Sequence, residues 1–220
     1  MMLNIKILRF FVVGVLGCSA LSQVYANPPS NVQIIQWITN VDQSSAYPKQ
    51  DITVQRTESI VLYSNEKAYL SAIRFNNAPR NAVLGYVLTR PTLKQSRILD
   101  WGGQTNDFKV DYFYLPKKNN HLSLIELGSA STGQGYYSYI KSINYVDGWS
   151  VKTLHKVETG DDTGAVENCK NSYDHKAYLQ IVDQHILETI INSNGCENKK
   201  VQDYKVKSKL IPIQIPLSNK

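Results

Sequence analysis

The side chains best equipped for chemistry in this chain are four histidines, His121, His155, His175 and His185, and a carboxylate-rich stretch at 158–167. A histidine held against a carboxylate is the usual general-base pairing, so His155 or His175 meeting Asp161 or Asp162 in a cleft would make a hydrolytic site. The spacing alone assembles no such set. No histidine pair shows metalloprotease spacing, and only a hairpin could bring His175 against His185 for zinc. Asp161, Asp162 and Glu167 offer hard oxygen ligands, but the alternating aspartates and glycine of a calcium loop are missing. The expectation is no catalytic set, no metal and no cofactor.

Gly128-Ser129-Ala130-Ser131-Thr132-Gly133-Gln134-Gly135 could turn backbone N–H groups toward an anion. It lacks the Gly-Lys-Ser/Thr ending of a phosphate loop, and no helix follows it as a nucleophile elbow would need. Within it, Thr132-Gly133-Gln134-Gly135-Tyr136 resembles the Ser-Gly-x-x-Tyr loop of the periplasmic lysozyme inhibitors, with Thr for Ser. Those are small exported β proteins that push this loop into a lysozyme's active cleft. The resemblance implies a protein partner and makes Thr132 and Tyr136 the contact residues. The candidate binding stretch is Ser131, Thr132, Gly133, Gln134, Gly135, Tyr136 and Tyr137. Tyr136, Tyr137 and Tyr139, with Tyr145 and Trp149 further on, are amphipathic side chains enriched at interfaces, although a sheet face also accommodates them.

The chain's beginning points to export. Lys6 and Arg9 precede an apolar run from Phe10 to Leu16, and Val24-Tyr25-Ala26 reads as a cleavage site, so residues 1–26 are expected to be a signal peptide. Val15-Leu16-Gly17-Cys18 also resembles a lipoprotein box, which would instead tether the protein to the outer membrane through a lipidated Cys18. Cleavage after Ala26 leaves residues 27–220 as a single β-rich domain, periplasmic or secreted. It removes only basic charges, so the net charge falls from +6 to +4. Cys169 and Cys196 then remain, and an oxidising compartment predicts a disulfide between them. Lys205, Lys207 and Lys209 alternate in sequence; as a strand they would form one cationic face, either a protected sheet edge or an attraction for anionic partners. No nucleic-acid reader motif accompanies them.

The elements that must position these residues read as strands. Residues 121–157 predict three consecutive antiparallel strands, with 128–135 as a loop and Asp147-Gly148 as a two-residue hairpin turn. Turn signals recur about every 8 to 12 residues from Ile52 onward, including Ser64-Asn65-Glu66, Asn76-Asn77-Ala78-Pro79, Gly102-Gly103 and Ser193-Asn194-Gly195. Val32–Ile38 reads as a first strand or a helical turn, the strand being preferred, and Phe108, Val110, Tyr112 and Tyr114 as one period-two face. Pro116-Lys117-Lys118-Asn119-Asn120 is expected to cap a long hairpin. The fold class is all-β, an antiparallel β-sandwich or barrel-like meander following a cleaved N-terminal signal helix. The expected function is an exported, non-enzymatic binding protein, an inhibitor or immunity protein that blocks an envelope-acting enzyme or toxin. An envelope hydrolase whose His and Asp residues converge in space, and a structural lipoprotein anchored at Cys18, are the alternatives.

Overall fold

The computed structural model describes residues 27–41, 48–77, 84–100, 103–162, 173–194 and 203–216. The signal segment, Cys18, Glu167, Cys169 and Cys196 lie outside them, and so does the proposed disulfide. The described chain is an all-β sandwich of two antiparallel sheets. The small sheet holds β1 (Ile52–Val61), β2 (Lys67–Phe75), β3 (Leu84–Arg90) and β4 (Gln95–Asp100). The large sheet holds β5 (Phe108–Leu115), β6 (Asn120–Gly133), β7 (Tyr136–Asp147), β8 (Ser150–Asp161), β9 (Asp174–Val182), β10 (His185–Asn194) and β11 (Asp203–Pro212). In both sheets every hydrogen-bonded neighbour is also the next strand in sequence, so each sheet is a plain meander, and the large one stays open.

The core has three parts because two strands of the small sheet and several of the large one are buried on both faces. Ile60, Leu70, Tyr86 and Leu88 of the small sheet pack on Phe108, Ile125 and Val146 of the large sheet. On the far side of the large sheet, Leu122, Leu124 and Ile143 pack against Leu179, Ile186, Ile211 and Ile213. The segment β9–β11 therefore folds back over the outer face of β6–β8, which pairing permits: β8 and β9 touch only at Gly160↔His175 and Asp161↔Asp174 before they splay apart. On the outer face of the small sheet, Ile34 and Ile38 close a third cluster with Ile73, Val87 and Ile98.

That third cluster corrects the expected first strand. Residues Asn31–Gln36 form a short helix, α1. Ser30 is the reason: its side chain accepts from the Gln33 N–H, while Gln33 Oε1 accepts from the Ser30 N–H at 2.9 Å, a capping box that satisfies two orphan donors at once. Ile34 and Ile38 then fall four apart and both point into the core, each burial contributing roughly 1.5–3 kcal/mol. Only Ile38 behaves as strand, bridging Ser96 of β4.

In β5 the residues Phe108, Val110, Tyr112 and Tyr114 do share one face of a strand. Phe108 is buried there, but Tyr112 and Tyr114 on the same side are exposed, and the core is served instead by Phe113 and Leu115 from the opposite face. The strand outruns the small sheet that covers its first half. Pro116–Lys118 with Asn119 at φ 50° does cap the β5–β6 hairpin, and Pro91–Leu93 with Lys94 at φ 50° closes β3–β4 in the same way. Residues Asp203–Pro212 form one ten-residue strand, β11.

Candidate functional site

The central triplet β6–β7–β8 is present, with two corrections. The stretch 128–135 is not a loop: β6 runs through it to Gly133, and Gly133 pairs directly with Tyr136. The turn is Gln134-Gly135 alone, at φ 49° and 83°, the signature of a type I′ hairpin turn. The small residues that suggest a loop sit opposite β7 tyrosines: Ala130 faces Tyr139, Thr132 faces Tyr137 and Gly133 faces Tyr136; it is at Gly128 that this bulk leaves no room for a side chain, because a Cβ there would run into the Tyr139 hydroxyl, while Gly133 has open space. The second turn is Gly148-Trp149 rather than Asp147-Gly148, since Asp147 already pairs with Ser150. Gly148 alone has positive φ, 59°, as the first central position of a II′ turn requires.

All seven residues from Ser131 to Tyr137 are exposed at the tip of this hairpin. Thr132 Oγ1 donates to Gln104 Oε1 at 2.5 Å, which ties the tip to the segment leading into β5. The Tyr137 and Tyr139 rings stack at 6.2 Å with an interplanar angle of 17°. Lys141 Nζ lies 5.6 Å from the Tyr139 ring and 5.4 Å from that of Tyr178 on β9, so one ammonium joins two aromatic faces. Tyr173 and Tyr178 are exposed as well. Exposed Tyr136 and Tyr137 thus stand at the tip, and exposed Tyr178 shares Lys141 with half-buried Tyr139 further along the sheet.

Electrostatics at the tip differ from the chain's net charge of +6. Burial first, and then the charges of Asp107, Tyr137 and Glu126, push the Tyr139 phenol up to about 12. Burial, Asp161 and Asp107 push Tyr137 in the same direction. Burial is thus the first cause of both shifts and the carboxylates add to it, while the Lys141 ammonium stands against the same Tyr139 ring.

Asp161 and Asp162 prove to be positioned for architecture. Asp162 is buried; its Oδ1 accepts from the Tyr173 N–H at 2.7 Å and its own N–H donates to the Tyr173 carbonyl at 3.2 Å. That clamp holds Tyr173 beside the end of β8. Neither aspartate meets His155. His155 Nε2 instead hydrogen-bonds Glu188 Oε2 on β10, and Lys209 Nζ on β11 lies 2.8 Å from the other carboxylate oxygen. Burial raises the Glu188 carboxyl pKa, but the hydrogen bonds and charges of Lys209 and His155 outweigh it and hold it below the ordinary range. Glu188 came into view only with the fold, because β8 reaches it across the layers. His175 and His185 do not meet either: His175 pairs with Asn192 and His185 with Val182, at opposite ends of the β9–β10 hairpin. Among the described residues, no group of three His, Cys, Asp or Glu is placed to hold a metal.

A shallow depression of about 220 Å³ opens beside the tip, lined by Tyr137, Ser138, Glu158, Gly160, Tyr173 and His175. Ser138 Oγ donates to Glu158 Oε1 at 3.2 Å, so its proton goes to a carboxylate and not to a histidine. A larger groove of about 630 Å³ lies between Phe113, Leu115 and the trailing Ile213–Pro216. No helix among the described residues is long and apolar enough to cross a membrane. Comparison of the chain with protein families, with curated proteins and with solved structures finds no match.

Proposed function

We propose that this protein is an exported binding protein that inhibits an envelope-acting enzyme by presenting the β6–β7 tip to it. The observation that carries the reading is the pair of exposed tyrosines, Tyr136 and Tyr137, at a two-residue turn, with exposed Tyr173 beside Tyr137. Tyrosine gives a large, stiff contact area at low entropic cost, and a type I′ hairpin holds it in one conformation before the partner arrives. The Thr132-Gly133-Gln134-Gly135-Tyr136 resemblance to the lysozyme-inhibitor loop falls on the projecting part of this hairpin. A net positive chain would slow its approach to a basic lysozyme, and Asp107, Asp161 and Glu126 near the phenols are the acidic groups that would offset it at the tip. Proteins blocking toxins by the same tip belong to this proposal.

The test is inhibition of cell-wall hydrolysis by a panel of lysozymes and other peptidoglycan hydrolases, with purified protein titrated in. One enzyme of the panel should be inhibited, and the Thr132→Ala/Tyr136→Ala variant should lose at least tenfold in potency while its circular dichroism and urea midpoint stay unchanged. Unaltered potency in the folded variant removes the tip from the proposal. The hydrolase alternative rests on the depression holding Ser138, Glu158 and His175; peptidoglycan turnover by the protein itself, abolished by His175→Ala, would favour it instead.

A further inference from the structure

We infer that the outer edge of β11 is a docking strand for an extended, acidic segment of a partner protein. Among the described residues β11 pairs with β10 alone, ten residues long and unbroken until Pro212. Every residue from Tyr204 to Leu210 is exposed. An edge of this length offers a row of unused backbone donors and acceptors, and adding one more strand is the ordinary way such an edge is used.

The two faces of β11 state what the added strand must carry. Tyr204, Val206 and Leu210 lie on one face at 72%, 53% and 61% exposure. Lys205, Lys207 and Lys209 lie on the other, and among the described residues only Lys209 has an ion pair, with Glu188. A matching strand therefore alternates apolar residues with Asp or Glu, because residues directly opposite across a ladder share a face and opposite charges there are favourable.

Geometry argues against a second copy as the occupant. In a two-fold antiparallel pair the axis is perpendicular to the sheet, so each residue must oppose one of its own parity. Every register centred between residues 205 and 209 then sets at least one lysine directly against a lysine, which is destabilising. The lysines thus discourage self-pairing and select an anionic strand with one and the same charge pattern. This edge is three strands removed from β8 and does not depend on the tyrosine tip.

The test uses two ten-residue peptides, one alternating Glu with Val and one alternating Lys with Val, titrated into the isotopically labelled full-length protein. The Glu peptide should shift amide signals of residues 203–212 and bind at least tenfold tighter than the Lys peptide. In Lys205→Glu/Lys207→Glu, which leaves the Lys209–Glu188 pair intact, the preference should reverse. Equal affinities, no binding of the Glu peptide, shifts confined to other strands, or sedimentation showing dimers joined through β11 would each overturn the assignment.

Discussion

Glu188 is the residue on which the packing of β9–β11 against β8 turns. Its carboxylate is buried and engaged on both oxygens, by His155 from the facing layer and by Lys209 from the next strand. Replacing that carboxylate leaves the half-buried His155 without its charged acceptor, while Lys209, 59% exposed, keeps its solvent. Glu188→Gln should destabilise the fold by about 1–3 kcal/mol, read from urea unfolding at pH 7. The pH dependence has a definite sign. A carboxyl whose folded pKa is depressed contributes its stability above the unfolded value, roughly 4.3, and loses it as pH falls through the folded pKa. The wild type and Glu188→Gln curves should therefore draw together as pH falls below the unfolded value and through the lower folded one; parallel curves down to acid would show that Glu188 does not carry this linkage.

At the scale of elements, the β6–β7 hairpin shows what a sequence discloses and what it withholds. Asn or Asp followed by Gly is the usual marker of a type I′ turn, and here Gln134 occupies the first left-handed position at φ 49°. The marker was absent, so the glycines and serines before it read as a loop. The identities opposite them on β7 could not be known without register, and register follows from the turn. Gln134→Asn should raise stability by several tenths of a kcal/mol in urea unfolding, since Asn tolerates this conformation better; a loss would place the strain elsewhere. The alternation of Lys205, Lys207 and Lys209, by contrast, was legible at once, because period two needs no partner to be recognised. So was the strand triplet after His121. α1 is legible only as the second choice to a strand, because six residues are too few for a helical period to show and the Ser30–Gln33 capping box is its clearest local signal. Glu188 meeting His155 carried no signal at all, being a contact across layers that only the splaying of β8 from β9 creates.

The whole molecule is a stack held by a few connections between layers, and Trp149 is one of them. It sits in the β7–β8 turn, packs on the core between the sheets, and lies between Arg97, 4.6 Å from its ring, and Arg90 at 5.0 Å. Arg90 is fixed in turn by Glu66, whose carboxyl it holds below the ordinary range. Trp149→Ala should cost about 2–4 kcal/mol in urea unfolding through lost burial and lost cation–π contact, with Trp149→Phe costing visibly less. Equal costs would mean that ring size and charge contacts contribute little there. The β6–β7 tip stays exposed at one end of the same layering, with β8 paired beside it as far as Tyr137. The most direct measurement places a photo-reactive phenylalanine at position 136, and separately at exposed Ser150 at the other end of β7, in protein expressed in living cells and irradiated. The account predicts one discrete protein adduct from position 136, lost on Thr132→Ala, and none from position 150; adducts of equal yield from both positions, or none from position 136, would contradict it.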